Sequence, residues 1–263
     1  MQISDGSPGG SPDGLADGFT LSADGPVATL RIDRPDKRNA MSASMWRALP
    51  GILAPLAQDT AVRVLVLTGA GGTFCAGADI SEIAGLAEDG DDTGVTVTAE
   101  RALIRFPKPV IAMIEGFCVG GGCQLALACD LRVAASDARF AITPAKLGIV
   151  YPLSSTRRLV GQVGPSAAKL LLYSADQIDA AHALRIGLVD EVLPPGALAE
   201  RVYGLARTMA GRSQLTLAAS KEIVDGHADE ARFRWWQKES AAELAEGVAA
   251  FLERRPPHFP WTR

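Results

Sequence analysis

The sequence predicts an α/β protein, a largely parallel sheet built from βαβ units and followed by a helical C-terminal region. Three observations carry this expectation. Apolar β-rich runs alternate with Ala/Leu-rich helical runs, glycines mark the strand-to-helix turns, and strand signals nearly vanish after about residue 164. The expected organisation is a disordered tail over 1–18, a core over 19–195 and a helical region over 196–263.

The tail is rich in Gly, Ser, Pro and Asp, and no Lys or Arg precedes Arg31. Such a composition does not bury enough apolar surface to order itself. A signal or transit peptide would need basic residues there, so a cytoplasmic location is expected. Residues 19–22 and 27–32 read as two early strands, and a helix is expected over 42–57. Residues 62–67 and 110–114 read as buried strands, 131–134 and 139–142 as shorter ones. A helix is expected to end near Cys129, and 189–193 is the last strand signal. Leu198, Val202, Leu205 and Met209 recur at helical spacing, as do Leu244, Val248, Phe251 and Leu252. Trp235 and Trp236 lie on a charged helix between them, as core packing or as a subunit contact.

Composition narrows the classes. With 263 residues, 48% of them hydrophobic, the chain can bury a large core. A net charge of −4 gives no electrostatic footprint for nucleic acid. No apolar run approaches the roughly 20 residues of a membrane span. Cys75, Cys118, Cys123 and Cys129 form no Cys-x-x-Cys, and His182, His227 and His258 are distant in sequence. Buried thiols are therefore expected rather than a metal site. The acidic stretch 88–94 does not close on a Glu as a calcium loop would, and reads as a solvated loop. The glycines after residue 67 miss a dinucleotide fingerprint because Phe74 occupies the third glycine position.

Chemistry concentrates in two turns. Gly120-Gly121-Gly122-Cys123-Gln124 lies between the apolar run 109–114 and a helical run. Phe74-Cys75-Ala76-Gly77-Ala78-Asp79-Ile80 follows the run 62–67. A strand turning through glycine into a helix presents unpaired N–H groups, and two such turns can each direct one at the same oxygen.

These motifs, with Arg34-Pro35-Asp36-Lys37-Arg38-Asn39-Ala40-Met41, Ala183-Leu184-Arg185-Ile186-Gly187-Leu188-Val189-Asp190 and 246–255, resemble the enoyl-CoA hydratase/isomerase (crotonase) superfamily over about residues 19–256. The resemblance implies a spiral of ββα units with the acyl-CoA site in the core, and a C-terminal region that forms trimers or dimers of trimers. It implies an acyl-CoA thioester as substrate, with coenzyme A entering as part of that substrate and no permanently bound cofactor or metal. By position, the Ala78 and Gly121 N–H groups would form an oxyanion hole. Lys37, Arg38, Ala40, Ala76, Asp79 and Ile80 would hold coenzyme A, and Arg254 would reach its phosphates from a neighbouring subunit. The stretch 88–94 would lie beside the acyl pocket and act as a substrate-size filter.

Two departures bear on the reaction. Hydratases of this superfamily carry one glutamate after Gly-Gly-Gly-Cys and a second after a following proline. Here those positions are Gln124 and Ala145. An amide does not accept a proton at neutral pH, although it can orient a water. The segment Thr143-Pro144-x-x-Leu147-Gly148-x-x-Tyr151 is similar to the methylmalonyl-CoA decarboxylase branch, which implies that Tyr151 orients a departing carboxylate. That branch carries Glu where Gln124 stands. A lyase reaction is therefore expected, with decarboxylation ahead of hydration or isomerisation by a substitute acid or base. Glu82, about one turn past Ala78, is the first candidate for that substitute. Glu82 and Glu100 otherwise read as solvated helix residues, and Asp130 as a cap or ion-pair partner. A non-catalytic acyl-CoA-binding protein is the further alternative.

Overall fold

A computed structural model describes residues 15–82 and 94–261. Two early strands, β1 (Phe19–Asp24) and β2 (Val27–Ile32), form an antiparallel hairpin. Helix α1 (Ala43–Gln58) follows, started by Ser42, whose side chain accepts from the Met45 N–H at 3.3 Å. The chain then returns through β3 (Val64–Gly69) to helix α2 (Val95–Ile104) and strand β4 (Val110–Ile114). Strand β5 (Phe117–Val119), helix α3 (Gly121–Ala128), and strands β6 (Leu131–Ala135) and β7 (Arg139–Ala141) make the next turn.

After them come α4 (Pro144–Leu147), α5 (Leu153–Ser174), β8 (Ile178–Asp179), α6 (Ala180–Arg185) and β9 (Glu191–Leu193). Four helices end the chain: α7 (Pro195–Ala210), α8 (Gln214–Val224), α9 (Glu230–Glu239) and α10 (Ala241–Glu253).

The large sheet runs β1-β2-β3-β4-β6-β9, parallel from β2 onward. A second sheet, β5-β7-β8, stands beside it, and an isolated parallel bridge between Cys75 and Cys118 extends it. From β3 onward, successive windings thus place one strand in the large sheet, one stretch along the small sheet and then a helix. This is the spiral of ββα units expected from the sequence. Strands buried on both faces explain why β3 and β4 are continuous apolar runs rather than alternating ones.

One core lies between the sheets and α1, α2 and α3, with Trp46, Phe74, Leu103 and Phe140 among its buried side chains. A second covers the opposite face of the large sheet, where Leu198, Val202, Ala206 and Ala210 of α7 pack on Val64, Val66, Ile111 and Val133. The expected break after residue 195 thus falls at the start of a helix that helps to bury the sheet. At the other end of the described residues, Leu15 and Ala16, within the expected tail, pack against the first core. The rest of the expected tail and most of 88–94 lie outside the described residues. In the C-terminal helices Trp236 is buried, and Arg232 stacks on both indoles at 4.2 and 4.5 Å from their ring centres. Among the described residues no helix is long and apolar enough to cross a membrane.

Candidate active site

The two glycine turns meet. The Ala78 N–H is left over because its neighbours are used: Met41 N donates to Gly77 O, and Asp79 N donates to Met41 O, each at 2.8 Å. The Gly121 N–H is left over because it opens α3, where the first helical bond runs from Gln124 N to Gly120 O at 3.1 Å. Neither N–H has an acceptor among the described residues. A Cβ built on Gly121 would lie 3.4 Å from Ala78 N and 2.8 Å from Trp46 Cζ2. The two amides are therefore close neighbours, walled by the indole. Gly77 (φ +105°) and Gly120 (φ +54°) both occupy the left-handed half of backbone space, which shapes the two turns. A Cβ on Gly122 would fall 2.2 Å from Cys75 O, so the turns touch through backbone alone.

Beside this pair of donors lies Gln124, 3% exposed. Its Nε2 donates to Glu100 Oε2 at 3.0 Å. The same oxygen accepts from Ser155 Oγ at 2.6 Å, and Glu100 Oε1 accepts from Arg158 Nε at 3.2 Å. Glu100, expected to be solvated, is thus 1% exposed and forms the centre of a polar cluster. The reason is position: it shares a helix face with the buried Val97, Leu103 and Ile104. Tyr151 sits nearby, its hydroxyl buried and without a partner. Burial, with Cys123 and the Glu100 charge in range, pushes the phenol well above its usual range. Ala145 lies on the exposed short helix α4.

Glu82 is elsewhere. Its residue is exposed, and its carboxylate accepts from the Ala43 N–H at 2.6 Å, capping α1. The carboxylate that lies beside Gln124 is Glu100. Asp130 does form the expected ion pair, with Lys221 at 2.9 Å. The four cysteines are buried free thiols, and burial pushes Cys75 and Cys129 up to about 12, which keeps them protonated.

Apart from Arg254, the expected coenzyme-binding residues gather around the Ala78 turn. Lys37 and Arg38 are exposed on a tight turn, with the Arg38 guanidinium 5.3 Å from the Phe117 ring centre. Ala76 N donates to Arg38 O at 3.0 Å, joining this turn to the Ala78 turn. Ile80 is 70% exposed, an apolar side chain standing in solvent beside them. Asp79 is held below the usual carboxylate range by hydrogen bonds from Ser81 and then by Arg34, which lies 3.3 Å away.

The sequence reading passed over the two residues that shape this region. Arg34 donates to Ala40 O at 2.7 Å, and Asn39, fully buried at φ +58°, donates to Ala70 O and Thr73 O. Arg254 lies apart, exposed at the end of α10. Its neighbour Arg255 is the one that forms ion pairs, with Glu246 and Glu253.

Two neighbouring free N–H groups beside a helix start are an arrangement that can stabilise a developing oxyanion. Comparison with known proteins gives this geometry a family. The family model described as enoyl-CoA hydratase/isomerase matches residues 22–261. Crotonyl-CoA hydratase of Syntrophomonas wolfei is 36% identical over 244 residues, covering 89% of this chain and 94% of that protein. The 2,3-dehydroadipyl-CoA hydratase of Escherichia coli is 36% identical over 243 residues, with the same coverage of 89% and 94%. Among solved structures, an enoyl-CoA hydratase/isomerase family protein from Hyphomonas neptunium superposes with a TM-score of 0.87 at 36% identity, over 95% of this chain and 99% of that one. From its motifs, its spiral and these relatives alike, the chain belongs to the enoyl-CoA hydratase/isomerase family of the crotonase superfamily.

Proposed function

We propose that the chain is an acyl-CoA lyase that removes the carboxylate of a β-carboxyacyl thioester through an enolate. The observation that supports this is the pair of neighbouring free N–H groups of Ala78 and Gly121, with Gln124 and Ala145 where the resemblance expects the hydratase glutamates. The bond from Cα to the carboxylate breaks, carbon dioxide leaves, and its electron pair passes into the thioester as an enolate. The Ala78 and Gly121 N–H groups receive that charge, each worth on the order of 3 kcal/mol in the transition state. A proton from water, or from the Tyr151 hydroxyl, then returns to Cα. Such a reaction needs no general base, whereas hydration loses roughly 10²–10⁴-fold for each missing acid–base group.

The coenzyme A moiety lies along the turn of Lys37, Arg38, Ala40, Ala76, Asp79 and Ile80, with the cations toward its phosphates and Ile80 against the adenine. Arg254 reaches those phosphates in a neighbouring subunit of a homotrimer or a dimer of trimers. Leu244, Val248, Phe251 and Leu252 leave an exposed apolar face on α10 that suits such assembly.

Hydration or isomerisation is the second reading. It is favoured by the hydratase names of the relatives and by the presence of a buried carboxylate, Glu100, next to Gln124. Parallel incubation with methylmalonyl-CoA and crotonyl-CoA, followed by mass spectrometry, separates the readings. Carbon dioxide loss supports the first and water gain the second. Silence on both, with coenzyme A still bound in a titration, would make this an acyl-CoA-binding protein without turnover.

A further inference from the structure

We propose that Glu100 is a positioning residue for the reaction: it fixes the Gln124 side chain so that an uncharged acceptor, the amide oxygen, stands at the site of the missing glutamate. The inference rests on the reading that Gln124 borders the reacting thioester. Glu100 comes from α2 and Gln124 from the first turns of α3, 24 residues apart in sequence, and their side chains meet at 3.0 Å in the interior.

The chemistry of the pair leaves one arrangement. Glu100 accepts from three donors, Gln124 Nε2, Ser155 Oγ and Arg158 Nε. A carboxylate so bonded only accepts, so the amide must turn its NH2 toward it. Reversal would set two oxygens against each other in a buried site. The Gln124 carbonyl oxygen is therefore held on the other side of the amide, and it has no hydrogen-bond partner among the described residues.

Charge is balanced in the same cluster. Glu100 is 1% exposed and would be costly alone, but Arg158 lies against it at 3.2 Å with a side chain 33% exposed. The cluster therefore adds little net charge beside the oxyanion hole. An acyl group carrying its own carboxylate meets a neutral amide at position 124. The amide oxygen can hold a water by hydrogen bonding without taking its proton. This deepens the proposed function by naming the residue that holds that amide.

A double-mutant cycle in the full-length protein tests the inference, using Glu100→Gln, Gln124→Ala and the pair. Three quantities are read. These are carbon dioxide release from methylmalonyl-CoA, affinity for coenzyme A, and the side-chain amide resonances of Gln124, assigned by their loss in Gln124→Ala. Glu100→Gln is expected to shift those resonances and to slow release about tenfold, with coenzyme A affinity within about twofold, and to add nothing in the Gln124→Ala background. Equal slowing in both backgrounds would show that Glu100 supports the fold and not Gln124, overturning the proposal. Unmoved resonances, or undiminished release, would overturn it too. No release by the unaltered protein would sink the decarboxylation reading alone, because the resonances still report whether Glu100 holds the amide. If Glu100→Gln fails to fold, Ser155→Ala and Arg158→Gln loosen the same carboxylate, and each must slow release only while Gln124 is present.

Discussion

Adding a single methyl group at Gly121 separates what the proposed oxyanion hole does from what holds it in place. The φ of Gly121 lies outside the left-handed region, so alanine suits the backbone and the conflict is local. The new Cβ would sit 2.8 Å from Trp46 Cζ2, 3.3 Å from Trp46 Cη2 and 3.4 Å from Ala78 N. The first two distances are steric overlap with a fully buried ring, an overpacking cost of about 1–3 kcal/mol. The third puts a methyl group beside the second donor, where the thioester oxygen must approach. Loss of one oxyanion donor lowers kcat by roughly 10²–10³-fold, and crowding of both should bring at least that loss.

The two effects come apart when Trp46→Phe is added. Phenylalanine removes the Cζ2 and Cη2 atoms that the methyl meets, so urea denaturation should show much of the lost stability returning. Turnover should not return, because the methyl still crowds Ala78 N. The assay is product formation from methylmalonyl-CoA, measured beside the denaturation midpoint. A folded Gly121→Ala protein that keeps more than about a third of its rate would refute the reasoning, since it would place the reacting oxygen elsewhere. So would recovery of rate in step with stability.

Other expectations follow from the same geometry. Tyr151→Phe should lower turnover of a β-carboxyacyl-CoA while leaving coenzyme A affinity nearly intact, and an unchanged rate in steady-state kinetics would remove the hydroxyl from the mechanism. Installing Glu at positions 124 and 145 together should raise crotonyl-CoA hydration by orders of magnitude, roughly 10²–10⁴-fold for each group, as followed by loss of enoyl absorbance. No gain would mean that pocket shape, not the missing acids, limits hydration. Lys108, 5% exposed, donates to Leu56 O and Asp59 O at 2.8 and 2.6 Å, and burial lowers its pKa from 10.5 to about 8. Its folded pKa lies below the unfolded one, so the unfolded chain binds more protons between these values. Stability should therefore climb as pH rises from about 8 to 10.5, and urea titrations of Lys108→Met across that window should lack the climb.

Much of the large sheet is legible in the sequence because its strands are long and buried on both faces. The runs at 27–32 and 110–114 coincide with β2 and β4 to the residue. Strands β5 and β8, of three and two residues, carry too short an apolar pattern to stand out, and they form through pairing with β7 rather than through local preference. The two glycine turns are readable from the residues, whereas the choice of Ala78 and Gly121 within them comes from the family resemblance. The partner of Gln124 is not readable, since the α2–α3 contact that joins it to Glu100 is tertiary. A signal was nevertheless present in the shared face of Val97, Glu100, Leu103 and Ile104. The bond of Glu82 to the start of α1 is likewise not legible, because proximity to Ala78 along the chain says nothing of a side chain's direction. The Arg34 and Asn39 scaffold was missed because side chains that bond to backbone carbonyls from a loop leave no periodic trace.

The most direct test of an enolate formed without a general base is to incubate the protein with methylmalonyl-CoA in heavy water and weigh the product. Release of carbon dioxide, with propionyl-CoA carrying one deuterium at Cα, is the expected result, and its rate should collapse in Gly121→Ala. Intact methylmalonyl-CoA beside crotonyl-CoA that gains water, at a rate indifferent to Gly121→Ala, would contradict both the reaction and the site assigned to it.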